Sequence, residues 1–569
     1  MNRLHARRAA FARPATGFVS QPEPKSIGRY ARGRQLVAGN LQFAGHMVEA
    51  PGAMLWEVPA PDLAYELERQ GFAWLDDLAA FGDGKARACA QSWTAGWIER
   101  YGRGRGPGWT PDLTGRRLIR WINHALFLLN GQSREFSESY YRSLAQQTVF
   151  LSRRWHAASP GLPRFEALTG LIYAGLSLIG MERLVGPAVV ALSRECESQI
   201  DAGGGIPTRN PEELLEVFTL LTWAASALSE AGQLADAAHI AAIERIAPTL
   251  RALRHADGGL ARFHGGGRGV EGRLDAALAA SGVRTQPQPG RRAMGFARLS
   301  HGRTTVIMDA AAPPSGPASH NAHASTLAFE LTSGRRPLIV NCGSGAPFGE
   351  QWRAAGRATP SHSTLSIDGY SSSRLGGRRL IGGIEREFLE DIPRDVRFRA
   401  GEDSGGSSVI AGHDGYVPTH GLTHARALEL ATSGRALAGE DTLGCVRPEH
   451  RRLFDAAMDR VKLAGIPFRI RFHLHPDVDA EVNMNGAAVS LELKSGEIWV
   501  FRHDGRARLT LEPSVYLEKG RLRPRPSLQI VLSARALEPA TRIRWTLAKA
   551  TDTPSAVRDL ARDDLDLAT

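Results

Sequence analysis

Residues 319–343 read SHNAHASTLAFELTSGRRPLIVNCG: two apolar runs joined by a glycine-containing turn, with His320, Asn321 and His323 before them and Asn341 and Cys342 after. A stretch built for burial that keeps imidazoles and an amide at its ends places polar chemistry at the rim of a core. His362, in ATPSHSTLSIDG, opens the next apolar run. If the first two runs pair as a hairpin, the ends carrying His323 and Asn341 lie side by side, and His362 completes a small cluster. Two neutral imidazoles and an oxygen donor suit zinc, with an amide supplying less charge than a carboxylate would. The same residues equally form a hydrogen-bonded polar cluster without metal.

Other stretches carry reactive residue types. HDGYVPTHGLTHAR holds His413, Tyr416, His420 and His424, and RFHLHPDV sets His473 and His475 on one face of a strand. No third ligand accompanies that pair, so hydrogen bonding is its plainer role. RWINHALFLLNG offers Asn123 and His124 on a helix, and GRGRGPGW ends at Trp109. The latter fits a sugar-stacking, anion-binding loop or a flexible turn. HGGGRG at 264–269 has the composition of a phosphate cradle, but no GK[ST] follows it, and it reads as linker.

The elements that must hold these residues change character along the chain. From about residue 61 to 253 apolar residues recur at helical spacing. TGRRLIRWINHALFLLNG closes on Gly131, a second apolar pair of helices splits near Gly180, and NPEELLEVFTLL opens with Asn210 as N-cap and Pro211 at the first helical position. Helix after helix with short connections closes most economically as a solenoid or toroid. Glycine and proline runs between His255 and Arg292 mark a boundary. Beyond residue 293 the period becomes two, with many short strands and Gly, Asp and Pro turns, as in an antiparallel sandwich. The expected organisation is a multidomain α-then-β chain: a basic extension at 1–50 that reads as a disordered tail docking late on the domain, a helical (α/α) toroid-like domain at 51–285, a β-sandwich at 286–555 and a tail at 556–569.

At 569 residues two domains are the default. The net charge is +11, and only six of the 70 basic residues are Lys, so the excess is arginine. Arginine's planar fork suits carboxylates, sulfates and phosphates, which makes a polyanion a plausible partner; an arginine-rich solvated surface is the alternative. No nucleic-acid module is readable, so no nucleic-acid partner is expected. Four widely spaced cysteines indicate free thiols. No apolar run is long enough for a transmembrane span, and the Pro-interrupted basic start reads as no secretory signal, so a cytoplasmic location is expected.

The order of these parts, with HNAHASTLAFEL, PLIVNCG and ATPSHSTLSIDG opening the sandwich, resembles the heparinase II/III family of polysaccharide lyases. There the corresponding phrases run roughly HxHAD, VDxG and HNT. The resemblance covers most of the chain, including LTGLIYAGLSL and ESQIDAGGGIPTRNPEELLEVFTLL. It implies an α/α toroid on a β-sandwich, an acidic, uronic-acid-containing glycan such as a glycosaminoglycan or alginate, cleavage by β-elimination, and zinc. It places the metal ligands on His323, Asn341 and His362, with Asn where the family has Asp. The catalytic His falls on Asn321, with His320 one position earlier, and the Tyr acid/base on Glu213. Family members commonly work in the periplasm.

Elimination requires that the substrate carboxylate be neutralised, that a base take the neighbouring C–H proton and that an acid serve the leaving oxygen. The residues available for this are Glu213, His320, Asn321 and Tyr416, with Arg209 and Arg357 for the substrate's carboxylates. Because the usual proton-transfer groups are substituted, the alternative is a catalytically degenerate protein that binds acidic polysaccharide, or assembles, on the same scaffold.

Overall fold

The computed structural model describes residues 1–20, 23–288, 290–381 and 384–550. Among the described residues, thirteen helices lead. They are α1 (Asn2–Ala9), α2 (Tyr30–Val37), α3 (Leu63–Gln70), α4 (Trp74–Phe81), α5 (Gly84–Tyr101), α6 (Pro111–Asn123) and α7 (Ala125–Leu129). Then come α8 (Arg134–Arg154), α9 (Leu162–Ser177), α10 (Val185–Gln199), α11 (Pro211–Glu230), α12 (Ala237–Ala252) and α13 (Arg273–Ser281). Their starts follow local chemistry. Asn210 caps α11 by accepting from the Glu212 and Glu213 N–H groups, and Asp62, Asp83, Ser133 and Asp236 cap four others. Helices α6, α9 and α11 pack in an inner row, backed by α8, α10 and α12. The tight α6–α9 crossing depends on glycine: a Cβ on Gly170 would lie 2.5 Å from the Gly115 Cα.

The aromatic residues concentrate early. Phe72, Trp97, Trp109, Trp121 and Tyr140 form a connected cluster, and the wholly buried Arg117 lies 4.0 Å over the Trp97 ring. Trp109 is therefore no exposed sugar platform. It is 2 % exposed, with its indole N–H donating to the Tyr101 carbonyl, because the preceding glycines turn the chain back into the core.

The sandwich consists of two antiparallel sheets. One runs, edge to edge, Arg508–Tyr516, Arg525–Ala536, Ile466–Leu474, Arg336–Val340, Phe329–Ser333, Thr304–Asp309 and Phe296–His301. The other runs Val396–Glu402, Gly406–Tyr416, Leu422–Ala431, Ala436–Gly444, Ala540–Lys549, Ile498–His503, Ala488–Leu493 and Val478–Asn483. Phe329, Phe472, Phe501 and Trp545 stack between them. The helical core also continues into the sandwich through Met294, Phe296, Ile307 and Ala328, so the two layers share buried surface.

The N-terminal extension docks on the helical domain, but its described residues are ordered elements and no disordered tail: α1 packs on α8, α2 packs on α4, and Asn40–Phe43 pairs with His46–Glu49. Their basic composition masked the polar anchors that hold them. The boundary expected between His255 and Arg292 falls where helices give way to sheets, and its described residues contain α13 and a loop that enters the site below. The C-terminal tail at 556–569 lies outside the described residues. No helix among the described residues is long and apolar enough to cross a membrane, and all four cysteines are free.

Candidate functional site

The hairpin forms: Phe329–Ser333 pairs with Arg336–Val340 in a register that joins Leu331 to Ile339 and Ser333 to Arg336. His323, however, opens no strand. It sits in the segment after a 3-10 turn, Gly316–Asn321. Arg357 holds that segment in place by donating to the carbonyls of Ser319 and Ala322, each at 2.8 Å. A second 3-10 turn, Thr359–Ser361, delivers His362. The two rings meet with centroids 5.2 Å apart, 3 % and 0 % exposed. Burial, more than the neighbouring imidazoles, keeps both neutral, and the His362 pKa falls to about 3.

Asn341 closes the hairpin beside them. Its Oδ1 accepts from the Ser363 N–H at 3.0 Å, its Nδ2 points to Glu330 Oε1 at 3.4 Å, and its carbonyl accepts from Arg262. The sequence missed His264. The His323 N–H donates to His264 Nδ1 at 3.2 Å, and His264 Nε2 lies 3.4 Å from Asp309 Oδ2. The glycines that follow explain the placement. Gly265 has φ +84°, and a Cβ there would sit 3.1 Å from the Asn321 carbonyl oxygen, while one on Gly266 would overlap Asn210 Oδ1. HGGGRG is therefore a wedge between the start of α11 and the 319–323 segment. Three consecutive glycines were the available signal, since they permit such close approach.

Several buried nitrogens here have no protein partner: His323 Nδ1, both ring nitrogens of His362, and Arg262 Nη1. Unpaired buried groups cost roughly 1–3 kcal/mol each, so the cluster has binding capacity to spend on a small polar guest. Zinc is a poor fit. A structural zinc takes four donors, whereas two neutral imidazoles offer one lone pair each and the Asn341 oxygen already serves Ser363. The carboxylates of Glu330 and Asp309 are engaged by His255 and by Arg209 and Ser325. Among the described residues, no three of His, Cys, Asp and Glu are placed to hold a metal ion.

The proton-transfer candidates scatter. Glu213 lies in the first turn of α11, where burial, opposed by Thr208 and Lys519, pushes its pKa up to about 7. His320 is neutral, its pKa lowered to about 4 chiefly by burial. Asn321 is exposed, its Oδ1 facing Arg353 Nη2 at 3.5 Å. Tyr416 is wholly buried in the sandwich and donates to the Leu365 carbonyl at 3.1 Å, so it has no route to a substrate. Arg209 and Arg357 are buried and committed to protein acceptors, which makes them braces of the site rather than free substrate forks. The His473–His475 pair is likewise occupied: His473 meets Ser514 and the Pro360 carbonyl, and His475 meets Asp477.

The Glu213 carboxyl gives a pH test. Its folded pKa exceeds the ordinary value of 4.5, so the fold binds an extra proton between about pH 4.5 and 7 and loses stability as pH rises through that window. Glu213→Gln is expected to raise the unfolding free energy at pH 8, by up to ~3 kcal/mol, and to leave it unchanged at pH 4. Denaturant titrations at the two pH values check this; equal effects at both would show that the carboxyl is not held neutral.

Residues 284–546 match the family described as Heparinase II/III-like, C-terminal. Over 564 residues the chain is 30% identical to the FtsZ-localized protein C of Caulobacter vibrioides (strain NA1000 / CB15N), spanning 96% of this chain and 92% of that one. The chain belongs to the heparinase II/III-like family. Solved structures share this family member's architecture. A crystal structure of heparinase III aligns with TM-score 0.67 at 14% identity, covering 96% of this chain and 88% of that one. A heparan sulfate lyase HepC mutant from Pedobacter heparinus aligns with TM-score 0.58 at 14% identity, covering 97% and 88%. At such identity the likeness establishes the common toroid-on-sandwich fold, and the chemistry must be argued from this chain's own residues.

Proposed function

We propose that this heparinase II/III-like protein binds and assembles rather than cleaves, and that it localises with FtsZ. The observation that carries this reading is what stands at the positions that the family resemblance gives to acid and base. They hold an amide, Asn321, and a carboxyl, Glu213, and several arginines of α6 and α13 are already spent on protein acceptors. Arg116 is bidentate to Glu166, Arg120 pairs with Asp76, and Arg273 is bidentate to Glu216. Guanidinium groups spent in this way offer the carboxylate of a uronate no free fork. Full-length similarity to an FtsZ-localized protein supports the location. Zinc is no part of this reading, and adding zinc or chelator is expected to leave the melting temperature unchanged. A rise with zinc that chelator reverses would show a third donor to the histidine pair.

The second reading keeps the lyase. Glu213, half-buried with a pKa near neutrality, has the property of a general base. In it His323 and His362 would organise the sandwich side of an acidic-glycan site.

Two measurements separate the readings. A fluorescent fusion imaged beside labelled FtsZ is expected to coincide with it, and a uniform distribution would sink the assembly reading. Absorbance near 232 nm, followed over a panel of acidic polysaccharides, is expected to stay flat. A rise abolished by His323→Ala would restore the lyase.

A further inference from the structure

The N-terminal segment is bound to the toroid in the manner of a peptide ligand. Residues 17–19 pair with the end of α9, where the Val19 N–H donates to the Ser177 carbonyl at 2.8 Å. The chain then runs to α11, where Lys25 Nζ donates to Glu230 Oε1 at 2.6 Å and to Ser226 Oγ at 2.9 Å. One residue on, Ser26 Oγ donates to Asp76 Oδ1 of α4 at 2.7 Å and lies 3.0 Å from His124 Nε2 at the end of α6. The Arg29 N–H donates to Asp77 Oδ1 at 2.8 Å, and Arg32 Nε lies 3.2 Å from Asp77 Oδ2.

The character of these contacts matters. They are polar and specific, while the large hydrophobic side chains of residues 23–32, Ile27 and Tyr30, are 40% and 60% exposed. A Cβ at Gly28 would overlap the Asp76 carbonyl, so only glycine brings the backbone this close to α4. From Lys25 to Arg29 the segment thus crosses from α11 to α4 on polar contacts, before α2 begins at Tyr30. It also forms one side of a pocket of ≈ 410 Å³ shared with Asp76, Asn123 and His124, and the buried Asn123 Nδ2 has no partner. The wall selects charge. Arg116, Arg120 and Arg273 neutralise their own carboxylates, which leaves Glu230 and Asp77 to be met by the segment's Lys25 and Arg32.

We infer that the face formed by α11, α4 and the end of α6 is a binding site for a cationic peptide that runs without regular structure up to Arg29 and turns helical at Tyr30, and that residues 23–32 of this chain are its resident occupant. The site recognises a Lys-Ser-x-Gly-Arg pattern: a cation for Glu230, a hydroxyl for Asp76 and His124, a glycine against α4, and a backbone N–H for Asp77. The inference depends on neither catalysis nor FtsZ.

The test uses the full chain and a fluorescent peptide, EPKSIGRYAR. In Lys25→Glu/Arg32→Glu the resident segment is repelled from its acids. Fluorescence anisotropy is expected to show this variant binding the peptide at least tenfold more tightly than the unaltered chain, and to lose that gain when Glu230→Lys is added. Equal affinity for the unaltered chain and the variant, or no binding by a variant that melts normally, would overturn the proposal. Should the variant fail to fold, hydrogen exchange of the Arg29 amide in the unaltered chain replaces it. Raising salt from 0.05 to 0.5 M is expected to speed that exchange tenfold through screening, and an unchanged rate would overturn the proposal.

Discussion

Asp441→Ala is expected to destabilise the sandwich by about 3–5 kcal/mol, the range for removing one partner of a buried ion pair. Asp441 and Arg426 are both wholly buried between the sheets. The guanidinium grips the carboxylate through Nε at 2.8 Å and Nη2 at 3.0 Å, and its Nη1 donates to the carbonyls of Leu327 and Ser363. The carboxylate also accepts from Trp545 Nε1 at 3.0 Å and lies 2.8 Å from His424 Nε2. Truncation would leave a charged guanidinium in the core with half its partners. It would also loosen Ser363, whose N–H holds Asn341. Burial alone would raise the Asp441 pKa, but Arg426 overrides it and holds the carboxyl well below the usual range. A depressed carboxyl contributes stability that is present above its unfolded pKa of about 3.9 and is lost as pH falls toward the folded value. The difference between the unaltered protein and Asp441→Ala should therefore be full at pH 7 and shrink below about pH 4. Denaturant unfolding at a series of pH values measures this, and a loss under 1 kcal/mol at pH 7 would refute it.

The second large effect is expected at the joint between toroid and sandwich. Asp309 accepts from Arg209 Nη2 at 2.5 Å and from Ser325 Oγ at 2.8 Å, and it faces His264. Arg209 leads into α11, has φ +49°, stacks 4.7 Å over Phe296, and donates to the Met294 and Ala312 carbonyls. One guanidinium thus fastens the start of α11 to the sandwich. Asp309→Ala is expected to cost about 3–5 kcal/mol and to accelerate hydrogen exchange in residues 262–268 and 319–323 more than in the sandwich core. Arg209→Lys should reproduce much of the effect, because an ammonium cannot span a carboxylate and two carbonyls with a fixed fork. Uniform exchange changes across the chain would argue against a localised joint.

Much of the architecture was legible because it rests on local periodicity. The 3.6-residue spacing before residue 253 and the alternation after 293 each follow from one-sided burial of a regular element. Asn210 and Pro211 announced α11 through short-range capping chemistry. The hairpin of Phe329–Ser333 with Arg336–Val340 was also readable, since only a short turn separates the two apolar runs.

What the residues would face was not readable. Tyr416 lies in a histidine-rich stretch that looks reactive, yet strand pairing turns it into the core. Arg209 and Arg357 look like free forks in sequence and prove to be braces. Trp109 follows a glycine-rich run and is buried. In each case the decisive partner is a carbonyl or ring far along the chain, and local spacing carries no information about it.

The sequence by itself determined the helical and sheet halves, the approximate change between them, and the hairpin that ends at Asn341, because backbone hydrogen bonding and apolar period act over a few residues. Only the tertiary structure decided that His264 joins the cluster of His323, Asn341 and His362, that Arg116, Arg120 and Arg273 are paired with carboxylates, and that the basic N-terminus lies against Glu230 and Asp76. Those outcomes depend on burial and on pairings across 50 to 200 residues, where desolvation decides which charges meet and which remain available.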